Sequence, residues 1–163
     1  MPEDRYASFY NRISAPFRSQ GTIRIIRYAD LFLTGIMYVL YPLLVLYLLF
    51  SHDERLIRTV LVPGISFVLV TVIRSLINRP RPYAAHQISP LIHKDKQGES
   101  MPSRHAFSAA VISMAFFRIM PWAGIVLLVL SALECLIRVI AGVHYPSDVI
   151  IGFLAGVIAG LLI

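Results

Sequence analysis

Near the end of the chain, Arg138, His144 and Asp148 fall within the stretch RVIAGVHYPSDVIIG, with long apolar sequence on both sides. Two more polar groupings stand upstream in similar surroundings: RSLINRPRP, from Arg74 to Pro82, and PSRH, from Pro102 to His105. An arginine costs about 2.5–3.5 kcal/mol at the centre of an inserted helix and less near its ends. Arg74 and Arg138 each lie about one turn inside an apolar run, so an anionic partner is expected for both. Guanidinium groups meet phosphate oxygens in bidentate geometry, and Arg74, Arg81 and Arg138 together read as an oxyanion clamp.

The other two groupings supply reactive side chains. In PSRH, Ser103 is expected at the N-cap of a helix whose free amides and dipole favour an anion. His105 then falls in the first turn, where it can donate a proton to a leaving oxygen. In HYPSD, Pro146 suits the first helical position, which leaves His144 just ahead of the helix and Asp148 in its first turn. A carboxylate on one ring nitrogen fixes the tautomer and makes the other nitrogen a better nucleophile or base. The whole set predicts phosphoryl transfer, in which catalysis is mostly positioning and charge stabilisation.

Simpler readings of the same residues exist. Glu134 precedes Arg138 by one helical turn, so the two are expected to pair, either for structure alone or to hold the arginine for a ligand. A basic membrane edge that binds lipid heads accounts for the arginines but not for His105, His144 and Asp148 together. A metal site made of those three is disfavoured because the neighbouring arginines would repel a cation. Neither a metal nor another cofactor is expected.

These groupings need elements to position them. Hydrophobic residues make up 57% of the 163-residue chain and charged residues 15%, against roughly 45–50% and 25% in soluble domains. The mean hydropathy of +0.71 agrees with an integral membrane protein. The fold class expected is all-α: a polytopic transmembrane bundle of about five helices, preceded by an amphipathic interfacial helix. The spans are expected at Tyr28–Phe50, Leu56–Ile77, Ala106–Phe117 with flanks, Trp122–Ala141 and Pro146–Ile163, the third and fifth near the short limit. Pro42 and Pro63 mark sites of expected kinks. Tyr6, Phe9, Tyr10, Ile13 and Phe17 recur at helical spacing before the first span, with a break expected at Pro16. One domain, 1–163, is expected, with 1–27 as the amphipathic segment and 28–163 as the helical core. No apolar stretch of the signal-peptide kind precedes the first span.

Parity then joins the clusters. The ends of spans two and four and the starts of three and five share one side of the membrane, so the three groupings converge on one face. The one long connection, from Asn78 to Pro102, lies on that side and is expected to act as a lid or to recognise a headgroup, its histidines simply solvated. Gly152, Gly156 and Gly160 form a small-residue row suited to close helix packing, and any oligomer contact is expected on that face. Cys135, the single cysteine, reads as apolar filler.

In order and spacing the three groupings resemble the signature of the type 2 phosphatidic acid phosphatase superfamily, in its membrane lipid phosphatase branch. Its first motif, Lys-x6-Arg-Pro, is matched by Arg74 followed by Arg81-Pro82. Its second, Pro-Ser-Gly-His, is matched by Pro102-Ser103-Arg104-His105. Its third, Ser-Arg-x5-His-x3-Asp, is matched by Ile137-Arg138, His144 and Asp148. The resemblance implies metal-independent hydrolysis through a phosphohistidine. His144 would attack phosphorus, Asp148 would orient it, and His105 would protonate the leaving group. Arg74, Arg81, Ser103, Arg104 and Arg138 would hold the phosphate. The chain departs from the motifs in three places: Arg74 for lysine, Arg104 for glycine and Ile137 for serine.

The function expected is hydrolysis of a terminal phosphate from a lipid phosphate of the phosphatidic acid, phosphatidylglycerol phosphate or polyprenyl (di)phosphate type. A non-catalytic carrier for such lipids is the competing reading, and the superfamily's vanadium-dependent oxidation is disfavoured by lipid-facing helices. The formal net charge of +6 is assigned to anionic lipid and substrate, with no nucleic acid partner. Members of the superfamily commonly have six spans and an extracytoplasmic site. Here the basic residues outside the phosphate cluster number eight on the site side against three opposite, which predicts a multi-pass protein of the cell membrane with a cytoplasm-facing site.

Overall fold

The computed structural model describes residues 4–163, all of whose regular elements are helical. The helices are α1 (Arg5–Ser14), α2 (Gln20–Phe50), α3 (Leu56–Ile77), the short α4 (Pro82–Ala85), α5 (Arg104–Ile119), α6 (Pro121–Ile140) and α7 (Pro146–Gly160). Asp4 caps α1 by accepting from the amides of Tyr6 and Ala7. The break expected at Pro16 is a single 3-10 turn, Ala15–Phe17. α2 is 31 residues, about 46 Å, which exceeds the roughly 30 Å hydrocarbon core of a bilayer. It therefore begins ahead of the expected apolar span, and its opening turns carry Arg24 and Arg27. Both Pro42 and Pro63 lie inside uninterrupted helices.

α2, α3 and α6 are long and apolar enough to cross a membrane. α5 and α7, of 16 and 15 residues, fall short of that length, and α5 is surrounded by other helices of the chain. It packs against α2, α3, α6 and α7, and its residues from Ala109 to Phe116 are buried without a gap. Ser113 and Ser131 hydrogen-bond each other at 2.9 Å across the α5–α6 contact, and each hydroxyl also reaches the carbonyl one turn back. Outward faces of α2 and α3 present apolar side chains such as Tyr38, Leu61, Val68 and Leu76.

The glycine row is spent inside the chain. A Cβ on Gly152 would lie 2.5 Å from the Ser103 carbonyl oxygen, one on Gly156 2.5 Å from that of Phe107, and one on Gly160 would collide with Met114. The face expected to serve a second copy is thus filled by α5 of the same chain. The same packing sets the N-termini of α5 and α7 side by side, where the Ser103 amide donates to the Asp148 carbonyl at 3.0 Å.

Parity holds in three dimensions. On the side opposite the clusters, the Arg55 side chain donates to the Arg118 carbonyl at 3.0 Å, joining the α2–α3 and α5–α6 turns. On the cluster side, α1 folds back over the end of α6. Its fully buried Tyr10 donates to the Ile140 carbonyl at 3.2 Å and accepts from the Leu91 amide at 3.3 Å. Gly142, at φ 78°, adopts a left-handed conformation there, with the Tyr10 hydroxyl 2.7 Å from where a Cβ would stand.

Candidate active site

The Asn78–Pro102 connection is an ordered cover. Asn78 ends α3 in a left-handed conformation at φ 39°, and its side chain accepts from the Glu99 amide. The Leu91 and Ile92 amides both donate to the Ala141 carbonyl, which pins the connection to the end of α6. One of its two histidines departs from the solvated state expected. His86 pairs with Asp4 at 2.7 Å and packs on Tyr6 at 4.7 Å between ring centres, while His93 is exposed.

Under this cover lies a cavity of about 330 Å3. Arg74, Arg81, Arg104, Arg138, His105 and His144 line it, joined by Lys94, Asp95 and Lys96 from the connection. Six of the eight residues singled out from sequence therefore meet around one space. The other two, Ser103 and Asp148, stand in its wall, and both are fully buried.

Three of these four arginines have their own holders. Arg74 donates to the Pro102 carbonyl at 3.2 Å and its Nε lies 3.4 Å from Glu99 Oε2, which also pairs with Lys96 at 2.6 Å. Arg81 donates to the carbonyls of Gly98 and Val143 at 3.3 and 3.5 Å. Arg138 sits in a socket of two buried acids: Asp30 Oδ1 at 3.0 Å and Glu134 Oε1 at 3.5 Å, with Thr34 bridging the Arg138 and Glu134 side chains. Glu134 was expected; Asp30 and Thr34 were not.

His144 is 2% exposed and turns Nδ1 toward the protein. That nitrogen is 3.3 Å from Ser100 Oγ and 3.6 Å from Asp148 Oδ2. The direct carboxylate contact expected from sequence is thus long, and Ser100 stands between, donating to Asp148 Oδ2 at 2.5 Å. The Tyr145 amide donates to the same oxygen at 3.0 Å. Asp148 Oδ1 accepts from Arg79 at 2.7 Å, and the Arg79 guanidinium lies over the Tyr145 ring at 4.0 Å. Asp148 is satisfied on both oxygens, while Nε2 of His144 is the ring nitrogen left for the cavity. Burial first, then the Arg81 and Arg74 charges, push the His144 imidazole down to about 4, against the pull of Asp148.

Ser103 occupies the expected N-cap position of α5, yet its hydroxyl does not cap. The oxygen is buried without a hydrogen-bond partner, an arrangement that suits a ligand oxygen better than a helix end. Arg104 and His105, in the first turn, also line a second space: a groove of about 140 Å3 between α2, α3 and α5. The sequence reading missed Ser100, which carries no pattern. It also passed over Asp30, although an acid inside a long apolar span is as costly as the arginines that drew notice.

A family model described as the PAP2 superfamily matches residues 55–163. Over 135 residues the chain is 31% identical to an undecaprenyl-diphosphatase, BcrC, of Bacillus subtilis (strain 168), a match that covers 80% of this chain and 69% of that protein. The crystal structure of LpxE from Aquifex aeolicus is similar at a TM-score of 0.72 and 26% identity, covering 94% of this chain and 91% of that one. A transmembrane PAP2-type phosphatidylglycerolphosphate phosphatase from Bacillus subtilis aligns at a TM-score of 0.61 and 24% identity over 95% and 90% of the two chains, a likeness of fold.

Proposed function

This chain belongs to the PAP2 superfamily, and from that premise we propose how a membrane lipid phosphatase of this sequence binds and cleaves its substrate. The substrate is a lipid bearing a terminal phosphate, of the phosphatidic acid, phosphatidylglycerol phosphate or polyprenyl (di)phosphate type. BcrC, named for undecaprenyl diphosphate, makes polyprenyl diphosphates the first to test.

Arg74, Arg81 and Arg138 hold the phosphate oxygens, helped by the unpartnered Ser103 hydroxyl and the Arg104 amide at the start of α5. His144 attacks phosphorus through Nε2, with Nδ1 held by Ser100 and Asp148. His105 gives a proton to the leaving oxygen, then takes one from the water that cleaves the phosphohistidine. The arginines neutralise charge that spreads over the phosphoryl oxygens in the transition state, and their buried holders keep them in place before substrate arrives. The lipid's tail leaves by the groove between α2, α3 and α5, which opens onto exposed apolar side chains.

The observation that carries this reading is a buried His144 with one nitrogen tied to Ser100 and Asp148, at the wall of a cation-lined cavity. A carrier needs the clamp alone and has no use for that arrangement. The site faces the cytoplasm from the cell membrane, as the distribution of basic residues supports. Phosphate release from a lipid panel by purified protein, set beside His144→Ala, tests the mechanism. Release by the wild type and none above background by the variant is expected; equal release would overturn it.

A further inference from the structure

Arg104 stands where the motif otherwise has glycine, and its side chain borders two spaces at once. One is the cavity that holds the clamp. The other is the groove that descends α5 along Arg104, His105, Ser108, Ala109 and Ile112, a single helical face about 12 Å long. Tyr38 of α2, 72% exposed, and Phe67 of α3 flank this groove on the bilayer side. A substrate lying along this path meets the clamp first, Arg104 with His105 second and the apolar groove third.

Ion pairs and hydrogen bonds taken together mark out the middle position. Arg138 is matched by Asp30 and Glu134, and Arg74 and Lys96 share Glu99. Among the described residues Arg81, Arg104 and Lys94 form no ion pair, and of these Arg81 is held by the Gly98 and Val143 carbonyls. What Arg104 has is the Phe67 ring, 5.7 Å from its guanidinium carbon. A lipid with a single terminal phosphate places its charge at the clamp and an ester oxygen and neutral carbon next to it. A diphosphate places a second anion there.

Resting on the phosphatase reading above, we propose that Arg104, with Lys94 of the covering connection, forms a second anion subsite for the inner phosphate of a lipid diphosphate, which makes diphosphates the substrate class of this enzyme. In the first step Nε2 of His144 bonds to the outer phosphorus, and the bond from that phosphorus to the bridging oxygen breaks. The bridging oxygen leaves with the electron pair on the lipid monophosphate and takes its proton from His105. Arg104 meets the negative charge of that leaving phosphate. Water then cleaves the P–N bond and releases inorganic phosphate, its second proton returning to His105.

The test measures kcat/KM for farnesyl diphosphate and farnesyl phosphate with the purified protein and Arg104→Gln in detergent micelles. The wild type is expected to favour the diphosphate. The variant is expected to lose at least about tenfold more on the diphosphate than on the monophosphate, with Arg104→Lys keeping part of the preference. Equal losses on the two lipids, or a wild type that favours the monophosphate, would overturn the subsite. Calorimetric binding of methylenediphosphonate and of inorganic phosphate separates this from failure of the phosphatase reading and from misfolding. Selective weakening of methylenediphosphonate by Arg104→Gln supports the subsite even if neither lipid were cleaved, and proportional weakening of both ligands would overturn it.

Discussion

The Arg79 guanidinium donates to Asp148 Oδ1 at 2.7 Å, from the side of the carboxylate opposite Ser100 and the Tyr145 amide. Asp148 is fully buried, and this contact sets a counter-charge against one of its oxygens while Ser100 and the Tyr145 amide hold the other. Arg79 does not line the cavity and reaches it only through Asp148, so a positioning role is expected of it. Arg79→Ala is expected to lower kcat about tenfold to a hundredfold with little change in KM, and Arg79→Lys to recover part of the loss. A rise in KM at unchanged kcat would place Arg79 in substrate binding instead.

The buried imidazole predicts a pH dependence of stability. In the unfolded chain His144 titrates near 6.5 and in the folded chain at about 4. Between those values the unfolded chain binds the additional proton, so this group's contribution is complete above pH 6.5 and is lost as pH falls toward 4. Thermal unfolding in detergent at pH 7 and pH 4.5 checks this against His144→Gln. The wild type is expected to lose more on acidification than the variant; an equal loss would show that the imidazole is not held neutral.

The Arg138 socket separates stability from catalysis. Removing one partner from a buried ion pair costs roughly 3–5 kcal/mol, whereas apolar residues of like volume in place of all the partners are often tolerated. Asp30→Ala alone is therefore expected to lower the thermal midpoint and raise KM as Arg138 loses its anchor. The combination Arg138→Met, Asp30→Leu and Glu134→Leu is expected to recover stability while activity stays lost. Recovery of activity along with stability would remove Arg138 from the phosphate clamp.

The lines of the fold were legible because bilayer helices declare themselves by apolar length, and parity alone brought the groupings at Arg74, Ser103 and His144 to one face. What stayed hidden depended on distance in three dimensions. Asp30 and Thr34 reach Arg138 across more than a hundred residues, and only the packing of α2 on α6 joins them. Ser100 lies in a connection without period or motif, and its place between His144 and Asp148 follows from how that connection folds back. The glycine row was read correctly as a packing surface, but sequence could not say that α5 is the helix it packs on.

That last contact gives a test of its own. A side chain at Gly156 would meet the Phe107 carbonyl oxygen at 2.5 Å and Ala110 Cβ at 2.8 Å, in the α5–α7 seam that aligns Ser103 with Asp148. Gly156→Val is expected to cost about 1–3 kcal/mol and to lower kcat, because the two helix starts move apart. Unfolding midpoint and turnover measured together check it. A change in oligomeric size with the monomer's stability and turnover intact would return this face to a second copy.

Orientation remains a matter of charge. α1 and the connection over the site lie on the same side, tied by Tyr10 to Ile140 and by Asp4 to His86, and both carry basic residues. The opposite side has Arg55, Arg58 and Arg118, and Arg55 is already paired with Asp53 at 2.6 Å. Basic residues near span ends are retained on the cytoplasmic side during insertion, so the site side is expected inside and the end of α7 outside. Reporter fusions that are active only outside or only inside, joined after Ile163, read this directly. External reporter activity is expected, and adding lysines to the α2–α3 turn should weaken it. A cytoplasmic reporter after Ile163 would overturn the assignment and put the phosphate cavity on the outer face.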